Sequence, residues 1–220
     1  TTHSVYFIID GYLQRNPLLP MQQPITTMMI KILAYFLIPA YTILFTRGYN
    51  WFTTNFSVIG NLIDRKLAFF LWGVMVGVYY YMIYRAIRKQ IRLKPLAARL
   101  LPAALLLLFC AVTTPYLPEQ LPLKSFLHII FAFVSTVLLL VFLALVSWSQ
   151  YSSAPRAYRP FLLGLAVIVV VSAVLLAVAG IVSSALEIFL TVTTVILSSR
   201  LVDCLRKLGG PDANSTCIMK

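Results

Sequence analysis

The chain has 220 residues, of which 60% are hydrophobic and 11% are charged, with a mean hydropathy of +0.90. About 25% of the residues of soluble domains are charged, so this composition excludes an ordinary soluble domain and predicts one membrane domain. A net charge of +12 would suggest a nucleic-acid partner in a soluble protein, but basic residues also mark the cytoplasmic loops of membrane proteins. We therefore expect membrane lipids, and no nucleic acid, as partners.

The apolar residues fall into six stretches, each close to the roughly 20 residues that a spanning helix needs. Small residues separate the last two stretches, at Ala179–Ala185, where a tight hairpin is expected. The sequence thus predicts an all-α protein, a bundle of six transmembrane helices over 26–200, with an interfacial segment at 1–25 and a tail at 201–220. The stretches cover residues 26–46, 66–84, 97–114, 125–148, 160–181 and 184–200.

Basic residues are unevenly shared among the links. The link 85–99 contains basic charges and no acid, and further arginines follow helices four and six, whereas the other links carry fewer basic residues. The positive-inside rule then places both termini in the cytoplasm. We also expect the protein in the plasma membrane. The link 85–99 could also bind an acidic partner protein, or anionic lipid at about 1 kcal/mol per basic residue. The candidates for lipid binding are Arg85, Arg88, Lys89, Arg92 and Lys94.

The link NFSVIGNLIDR, residues 55–65, joins the first two stretches and is rich in polar groups. Gly60 can take conformations closed to other residues, and an arginine is a suitable partner for an anion. One interpretation is a capped helix start, with Asn61 or Asp64 as the N-cap. The other is the rim of a binding site, and the two are compatible. The candidate binding residues are Asn55, Ser57, Asn61, Asp64 and Arg65.

The fourth stretch begins PLKSFLH and follows a link that contains Pro115, Pro118 and Pro122. Prolines make that link stiff and non-helical. This link presents Glu119 as a further candidate binding residue. We expect Glu119 on the extracytoplasmic side of the membrane, the same side as the link 55–65. His128 lies near the start of helix four, where an imidazole can act as a general acid or base or be a hydrogen-bonded interfacial residue.

Helix six carries a polar stripe on one face, because its polar residues recur at steps of four, three and four. The stripe could form interhelical hydrogen bonds, worth about 0.6 kcal/mol each, or line a route for a solute. An acid at membrane depth is costly and often functional. Glu187 and His128 are therefore the candidate catalytic residues. The stripe consists of Glu187, Thr191, Thr194 and Ser198.

Helix two contains a glycine pattern that concerns packing and aromatic residues that concern the membrane interface. The segment GVMVG, Gly73–Gly77, has the small-xxx-small spacing that lets helices approach closely, which predicts tight packing inside the bundle. Aromatic residues near helix ends are typical interfacial anchors. We expect that role for the tyrosines of this helix and for the tryptophans near helix ends, which are Tyr79, Tyr80, Tyr81, Tyr84, Trp51, Trp72 and Trp148.

These residues give the chain a resemblance to a known group of membrane proteins. An S-x-x-G motif, Ser57 to Gly60, follows the first helix, and the proline-containing PYLPEQLPLKSFLH leads into a helix that begins near a histidine. Both features are similar to the DRAM/Frag-type membrane superfamily and its bacterial relatives of unknown function. The resemblance covers about residues 26–200 and implies a six-helix bundle, and some relatives are associated with remodelling or sensing of lipids. It points to Ser57, Gly60 and His128, although the acidic residue that often follows the serine is Val58 here.

Several catalytic signatures do not occur in the sequence. There is no HExxH motif, no G-x-S-x-G elbow and no phosphate-binding glycine loop. The 2 histidines are too few for a multi-histidine metal site. We therefore expect no metal and no cofactor, and the sequence leaves open whether the protein is an enzyme.

The leading hypothesis is a lipid-handling membrane protein with a polar pocket on the extracytoplasmic side, which binds, senses or remodels lipid. The alternatives are a small-solute transporter and an accessory subunit that holds a membrane protein partner. The expected pocket residues are Asn55, Ser57, Asn61, Asp64, Arg65, Glu119, His128 and Glu187.

Overall fold

The structure is a computed structural model that describes residues 22–61 and 65–209. These residues are helical apart from short links, and we number the helices α1 to α7 in chain order. Helix α1 joins Gln22–Ile32, a π-helical turn at Leu33–Leu37, and Ile38–Phe45. The others are α2 (Phe56–Asn61), α3 (Lys66–Gln90), α4 (Pro95–Thr113), α5 (Pro122–Tyr151), α6 (Pro155–Ala179) and α7 (Ser184–Gly209).

Six of these helices, all except α2, are long and apolar enough to cross a membrane. The predicted all-helical bundle of six spanning segments is thus confirmed, and it fits a multi-pass integral membrane protein. The hairpin expected at Ala179–Ala185 is present as well. Helix α6 ends at Ala179, Gly180 takes a left-handed φ of 68°, and α7 begins at Ser184.

The last helix extends past the boundary that we expected at residue 200. Helix α7 continues to Gly209 because its final turns still carry an apolar face. Leu201, Val202 and Leu205 are buried in the main hydrophobic core. The start of the expected tail 201–220 therefore belongs to the bundle. The rest of that tail and most of the expected interfacial segment lie outside the described residues.

The start of α1 and the end of α7 lie together at one end of the bundle. Lys31 forms an ion pair with Asp203, with 3.1 Å between Nζ and Oδ2. The Arg206 guanidinium donates a hydrogen bond to the Thr27 hydroxyl at 2.5 Å. We call this end, which also includes the α3–α4 and α5–α6 links, the terminal end.

The opposite end of the bundle is where the link after α1 meets the start of α7. The backbone N–H of Ser184 donates to the carbonyl of Thr54 at 2.6 Å, and that of Ala185 donates to the carbonyl of Trp51 at 2.8 Å. We call this the distal end, and it also includes the α4–α5 link. An even number of spans brings both ends of the described chain to the same side.

The polar stripe of α7 faces two tyrosines of α3. The Tyr79 hydroxyl donates to the carbonyl of Val195 at 2.5 Å and shares a hydrogen bond with Ser198, and the Tyr80 hydroxyl donates to Thr194 at 2.8 Å. Tyr79 and Tyr80 are 0% and 3% exposed. The expectation that these two tyrosines anchor the membrane interface is therefore wrong, because their hydroxyls join α3 to α7 inside the core.

Candidate functional site

A cavity of about 700 Å³ lies at the distal end between α5, α6 and α7. Residues of α2 and of the link before it form its distal rim. Most of its polar side chains gather at this rim, whereas the deeper lining is aliphatic and aromatic, apart from Thr136 and Ser172. We call it the distal cavity. Its rim carries Thr53, Asn55, Ser57, Tyr116, His128 and Glu187.

Helix α2 places Ser57 at this rim. Asn55 precedes the helix and caps it, since its Oδ1 accepts a hydrogen bond from the backbone N–H of Val58 at 2.8 Å. Phe56 and Ile59 are both 0% exposed and pack in a small aromatic core with Phe69. With one face of this short helix buried, Ser57 lies on the side that borders the cavity.

Gly60 lets α2 approach α3 closely. A Cβ added at Gly60 would lie 2.8 Å from the Cβ of Phe69, which is closer than real contacts allow. The glycine of the S-x-x-G motif is therefore required by packing in this structure.

Asn55 takes the capping role that we expected elsewhere. We expected Asn61 or Asp64 as the N-cap of the second spanning helix, but the N-cap of α3 is Arg65, which makes no side-chain capping bond. The amide of Asn61 instead donates to the carbonyl of Ser57 at 3.1 Å. Asp64 lies outside the described residues.

Glu187 connects α7 to the rim. Its Oε2 accepts a hydrogen bond from the backbone N–H of Phe56 at 2.7 Å. Because this N–H belongs to the first turn of α2, it has no partner within the helix. The carboxyl group thus supports the residue next to Ser57 while it also lines the cavity.

His128 is 2% exposed and has a partner for each ring nitrogen. Nδ1 lies 2.7 Å from the carbonyl oxygen of Ala111 and 3.0 Å from that of Thr114. Carbonyls only accept hydrogen bonds, so Nδ1 carries the proton and Nε2 is the acceptor. The Ser57 hydroxyl lies 2.6 Å from Nε2, and we assign Ser57 as the donor on this basis.

The α4–α5 link holds His128 in place. The backbone N–H of Leu117 donates to the Ser125 hydroxyl at 2.8 Å, which fixes the link against the first turn of α5. The rings of Tyr116 and Phe69 lie 5.6 Å and 6.2 Å from the imidazole, measured between ring centroids. The imidazole is therefore fixed by packing as well as by its two carbonyl partners.

The structure brings four of the eight expected pocket residues to the cavity: Asn55, Ser57, His128 and Glu187. Asn61 and Glu119 do not line it, and Glu119 is exposed in the α4–α5 link. Arg65 donates to the carbonyl of Phe45 at 3.1 Å, and its guanidinium lies 5.0 Å from the centre of the Tyr49 ring.

Sequence reasoning did not single out the deeper polar groups. The Ser172 hydroxyl, which lies on the apolar part of the cavity wall, has no hydrogen-bond partner among the described residues. A lone serine in the otherwise aliphatic run of α6 was the available signal. Thr136 hydrogen-bonds to the carbonyl of Ala132 within α5, so its hydroxyl is already satisfied.

Comparison with known proteins gives no match. No protein family, no curated protein and no solved structure matches the chain. The resemblance to the DRAM/Frag-type superfamily therefore remains a prediction.

Proposed function

We propose that the protein binds an acyl lipid in the distal cavity, with the lipid headgroup region at the polar rim and an acyl chain along the apolar wall. The observation that carries this proposal is the lining itself, in which amide, hydroxyl, imidazole and carboxyl groups border one end of a long apolar cavity. A volume of about 700 Å³ is within the roughly 300–1,000 Å³ of small-molecule sites.

The depth of the cavity supports an acyl chain as occupant. Its lining on α5 extends from His128 to Leu140, which is about 18 Å at 1.5 Å per residue. The hydrocarbon core of a bilayer is about 30 Å thick, so each leaflet contributes about 15 Å. A chain in the cavity would therefore lie alongside the chains of one leaflet.

The wall of the cavity is open to the outside of the bundle. Phe133 of α5 and Val169 of α6 both line the cavity, yet they are 61% and 51% exposed. A gap bordered by these two helices would face lipid in a membrane. Lipid could then enter sideways from the bilayer without passing through water.

The rim chemistry suits a headgroup with ester, hydroxyl or ammonium groups. The described lining residues include no lysine or arginine, whereas Glu187 contributes a carboxyl group. We expected Arg65 to pair with a phosphate or carboxylate, but its guanidinium is engaged by Tyr49 and Phe45 away from the cavity. The proposal therefore rests on Asn55, Ser57, His128 and Glu187.

We also propose that the distal end is extracytoplasmic and both chain ends are cytoplasmic. The terminal end carries the basic α3–α4 link, and a high density of lysine and arginine is typical of cytoplasmic loops. The basic residues expected to bind anionic lipid are all exposed there, so a lipid surface or an acidic membrane protein partner can reach them, although the guanidinium of Arg88 also lies 5.5 Å from the centre of the Tyr84 ring. They are Arg85, Arg88, Lys89, Arg92 and Lys94.

The alternative of solute transport gains no support from the stripe on α7. The hydroxyls of Thr194 and Ser198 are hydrogen-bonded to Tyr80 and Tyr79. Interhelical bonding accounts for these two residues without a solute route, so we propose lipid binding alone.

Lipid binding is tested by filling the cavity with a large side chain. We expect Ala173→Trp, on the cavity wall of α6, to reduce the lipid that stays bound to the purified protein in native mass spectrometry. The control is Val170→Trp on the same helix, since Val170 is 61% exposed but does not line the cavity. Equal lipid retention by both variants would contradict the proposal.

A further inference from the structure

We propose that Ser57 is an acyl-accepting nucleophile and His128 its general base, so that the protein cleaves an ester-linked acyl chain from the lipid in the distal cavity. This inference rests on the proposed lipid binding and adds a reaction to it. Neither residue lies in a G-x-S-x-G elbow, so the sequence alone does not indicate a serine hydrolase.

The geometry of the pair is that of an activated nucleophile. The Ser57 hydroxyl and Nε2 of His128 are 2.6 Å apart, within the 2.6–3.2 Å expected for a nucleophile and its base. The proton on Nδ1 is fixed by the carbonyls of Ala111 and Thr114, so the unprotonated nitrogen faces the serine. A base must have this tautomer before it can accept the serine proton.

The two carbonyls replace the carboxylate that completes a Ser-His-Asp triad. They hold the ring in one orientation, and their dipoles point their negative ends at the imidazole. When His128 takes up the serine proton, the resulting imidazolium still has both acceptors at Nδ1. The carboxyl group of Glu187 accepts a hydrogen bond from the N–H of Phe56, the residue before the serine, and acts as a positioning group.

Two donors at the rim are suited to the negative charge that forms on the ester oxygen. Oδ1 of Asn55 caps α2, but its Nδ2 donates to no described residue. The Tyr116 hydroxyl also has no hydrogen-bond partner among the described residues, and both side chains line the cavity beside Ser57. Preformed donors of this kind are often the largest single contribution to acyl transfer.

The reaction is balanced with an ester and water as reactants. The Ser57 oxygen attacks the ester carbonyl carbon while its proton passes to Nε2 of His128. The carbon–oxygen bond to the lipid alcohol then breaks, and the imidazolium gives its proton to that alcohol. Water from the membrane interface next attacks the acyl-serine, again losing its proton to His128. The bond between the acyl carbon and the serine oxygen then breaks, His128 returns the proton to that oxygen, and the fatty acid leaves.

The apolar wall supplies the specificity for an acyl substrate. Ile129, Phe133 and Leu140 extend down α5 from His128, so a chain that lies along them has its carbonyl end at the rim. The ester carbon of a bound lipid would thus be placed next to the Ser57 hydroxyl by the burial of its own chain.

The test is covalent labelling of the full-length protein in lipid nanodiscs with an alkyl fluorophosphonate. In that reaction the serine oxygen bonds to phosphorus, fluoride leaves, and the serine proton goes to the base. Peptide mass spectrometry should find the label on Ser57, and Ser57→Ala should abolish it. Ser153→Ala is the control, because Ser153 is an exposed serine in the α5–α6 link and its loss should not change the labelling.

The variant His128→Asn tests the base. An asparagine amide keeps a donor where Nδ1–H was but has no basic nitrogen facing Ser57. We expect labelling to slow by about 100-fold or more, the usual contribution of a general base. A folded His128→Asn variant that labels at the wild-type rate would overturn the proposal. Absence of label on Ser57 in folded wild-type protein would also overturn the proposal, and this measurement needs no variant.

An ether-linked analogue of the lipid separates this inference from the proposed lipid binding, since it can bind but cannot be cleaved. Binding of the ether lipid without labelling of Ser57 would overturn the nucleophile and leave lipid binding standing. Absence of both would overturn both. Labelling of Ser57, retention of the ether lipid and release of fatty acid from the ester lipid are the results that we expect.

Discussion

Asn55 uses one atom of its side-chain amide to cap α2 at the distal rim. Its Oδ1 accepts the N–H of Val58 and so starts α2, whereas Nδ2 donates to no described residue. Glu187 acts from the other side, through the N–H of Phe56. Ser57 is therefore flanked by two residues whose backbone N–H groups are held by side chains, which fixes its position relative to His128.

Substitution of Asn55 separates the capping role from the donor role. We expect Asn55→Ala to lower the free energy of unfolding by about 1 kcal/mol, the usual cost of losing an N-cap. Asn55→Ser should keep that stability because serine also caps well, yet it should slow the labelling of Ser57 because the amide donor is gone. Thermal unfolding in detergent and the labelling rate measure the two effects. Wild-type values of both for Asn55→Ala would contradict these roles.

Residue type and side of the membrane were enough to select Asn55, Ser57, His128 and Glu187 as site candidates. They could not indicate that Ser57 and His128 are in contact, because these residues are separated by 71 positions and the contact depends on how α2 docks. The same reasoning also selected Arg65, which does not line the cavity. A sequence does not reveal that an arginine stacks on the ring of Tyr49.

At the scale of elements, helix α2 places the polar residues of the link after α1 at the rim of the distal cavity. With the bounds Phe56–Asn61 it is too short for a periodic pattern to be visible in the sequence, and we expected a loop entry to the next helix. Its stability comes from tertiary packing, since Phe56 and Ile59 are buried beside Phe69. The long spans were predictable because a run of about 20 apolar residues is typical of a transmembrane helix and is rarely found in other structures.

The glycine of α2 gives a test of this docking. We expect Gly60→Ala to cost about 1–3 kcal/mol by overpacking, because its Cβ would meet the Cβ of Phe69 at 2.8 Å. The shift of α2 should also separate Ser57 from His128 and slow the labelling. Gly77→Ala is the control, since no atom lies within 4 Å of the added Cβ. Equal melting temperatures and labelling rates for the two variants would show that α2 is not held in this way.

The packing expected for GVMVG holds for one of its glycines. A Cβ at Gly73 would lie 2.6 Å from Cγ2 of Val112 on α4, whereas Gly77 faces open space.

The two tyrosines of α3 that we expected at the membrane interface also depend on contacts with another helix. A tyrosine needs a partner for its hydroxyl, and in this bundle Tyr79 and Tyr80 find it on α7, which no local pattern in α3 could reveal.

At the scale of the whole molecule, the two ends of the bundle differ in kind. The terminal end has exposed basic links and an ion pair between Lys31 and Asp203. The distal end has few charges and holds the cavity. This polarity relates the cavity to one leaflet, because a cavity at the distal end borders the leaflet on that side of the membrane.

The orientation can be measured with single cysteines in cells. In a chain whose native cysteines are replaced, we expect Glu119→Cys to react with a membrane-impermeant maleimide added outside, because Glu119 is exposed at the distal end. Arg156→Cys, exposed at the terminal end, should react only after the cells are permeabilised. The reverse pattern would place the cavity in the cytoplasmic leaflet.

The central claim is that an acyl chain lies in the distal cavity with its polar end at the rim, and depth-resolved crosslinking tests it most directly. Two ether lipids carry a photoreactive diazirine, one near the headgroup and one at the chain end. The first should crosslink near Val58 and Ile129, and the second near Val137, Leu140 and Val169. All five residues line the cavity, and the last three lie farther along α5 and α6 from the distal end than Ile129 does. Crosslinks of both lipids that show no such order, or that fall mainly on lipid-facing positions outside the cavity such as Val170, would contradict the claim.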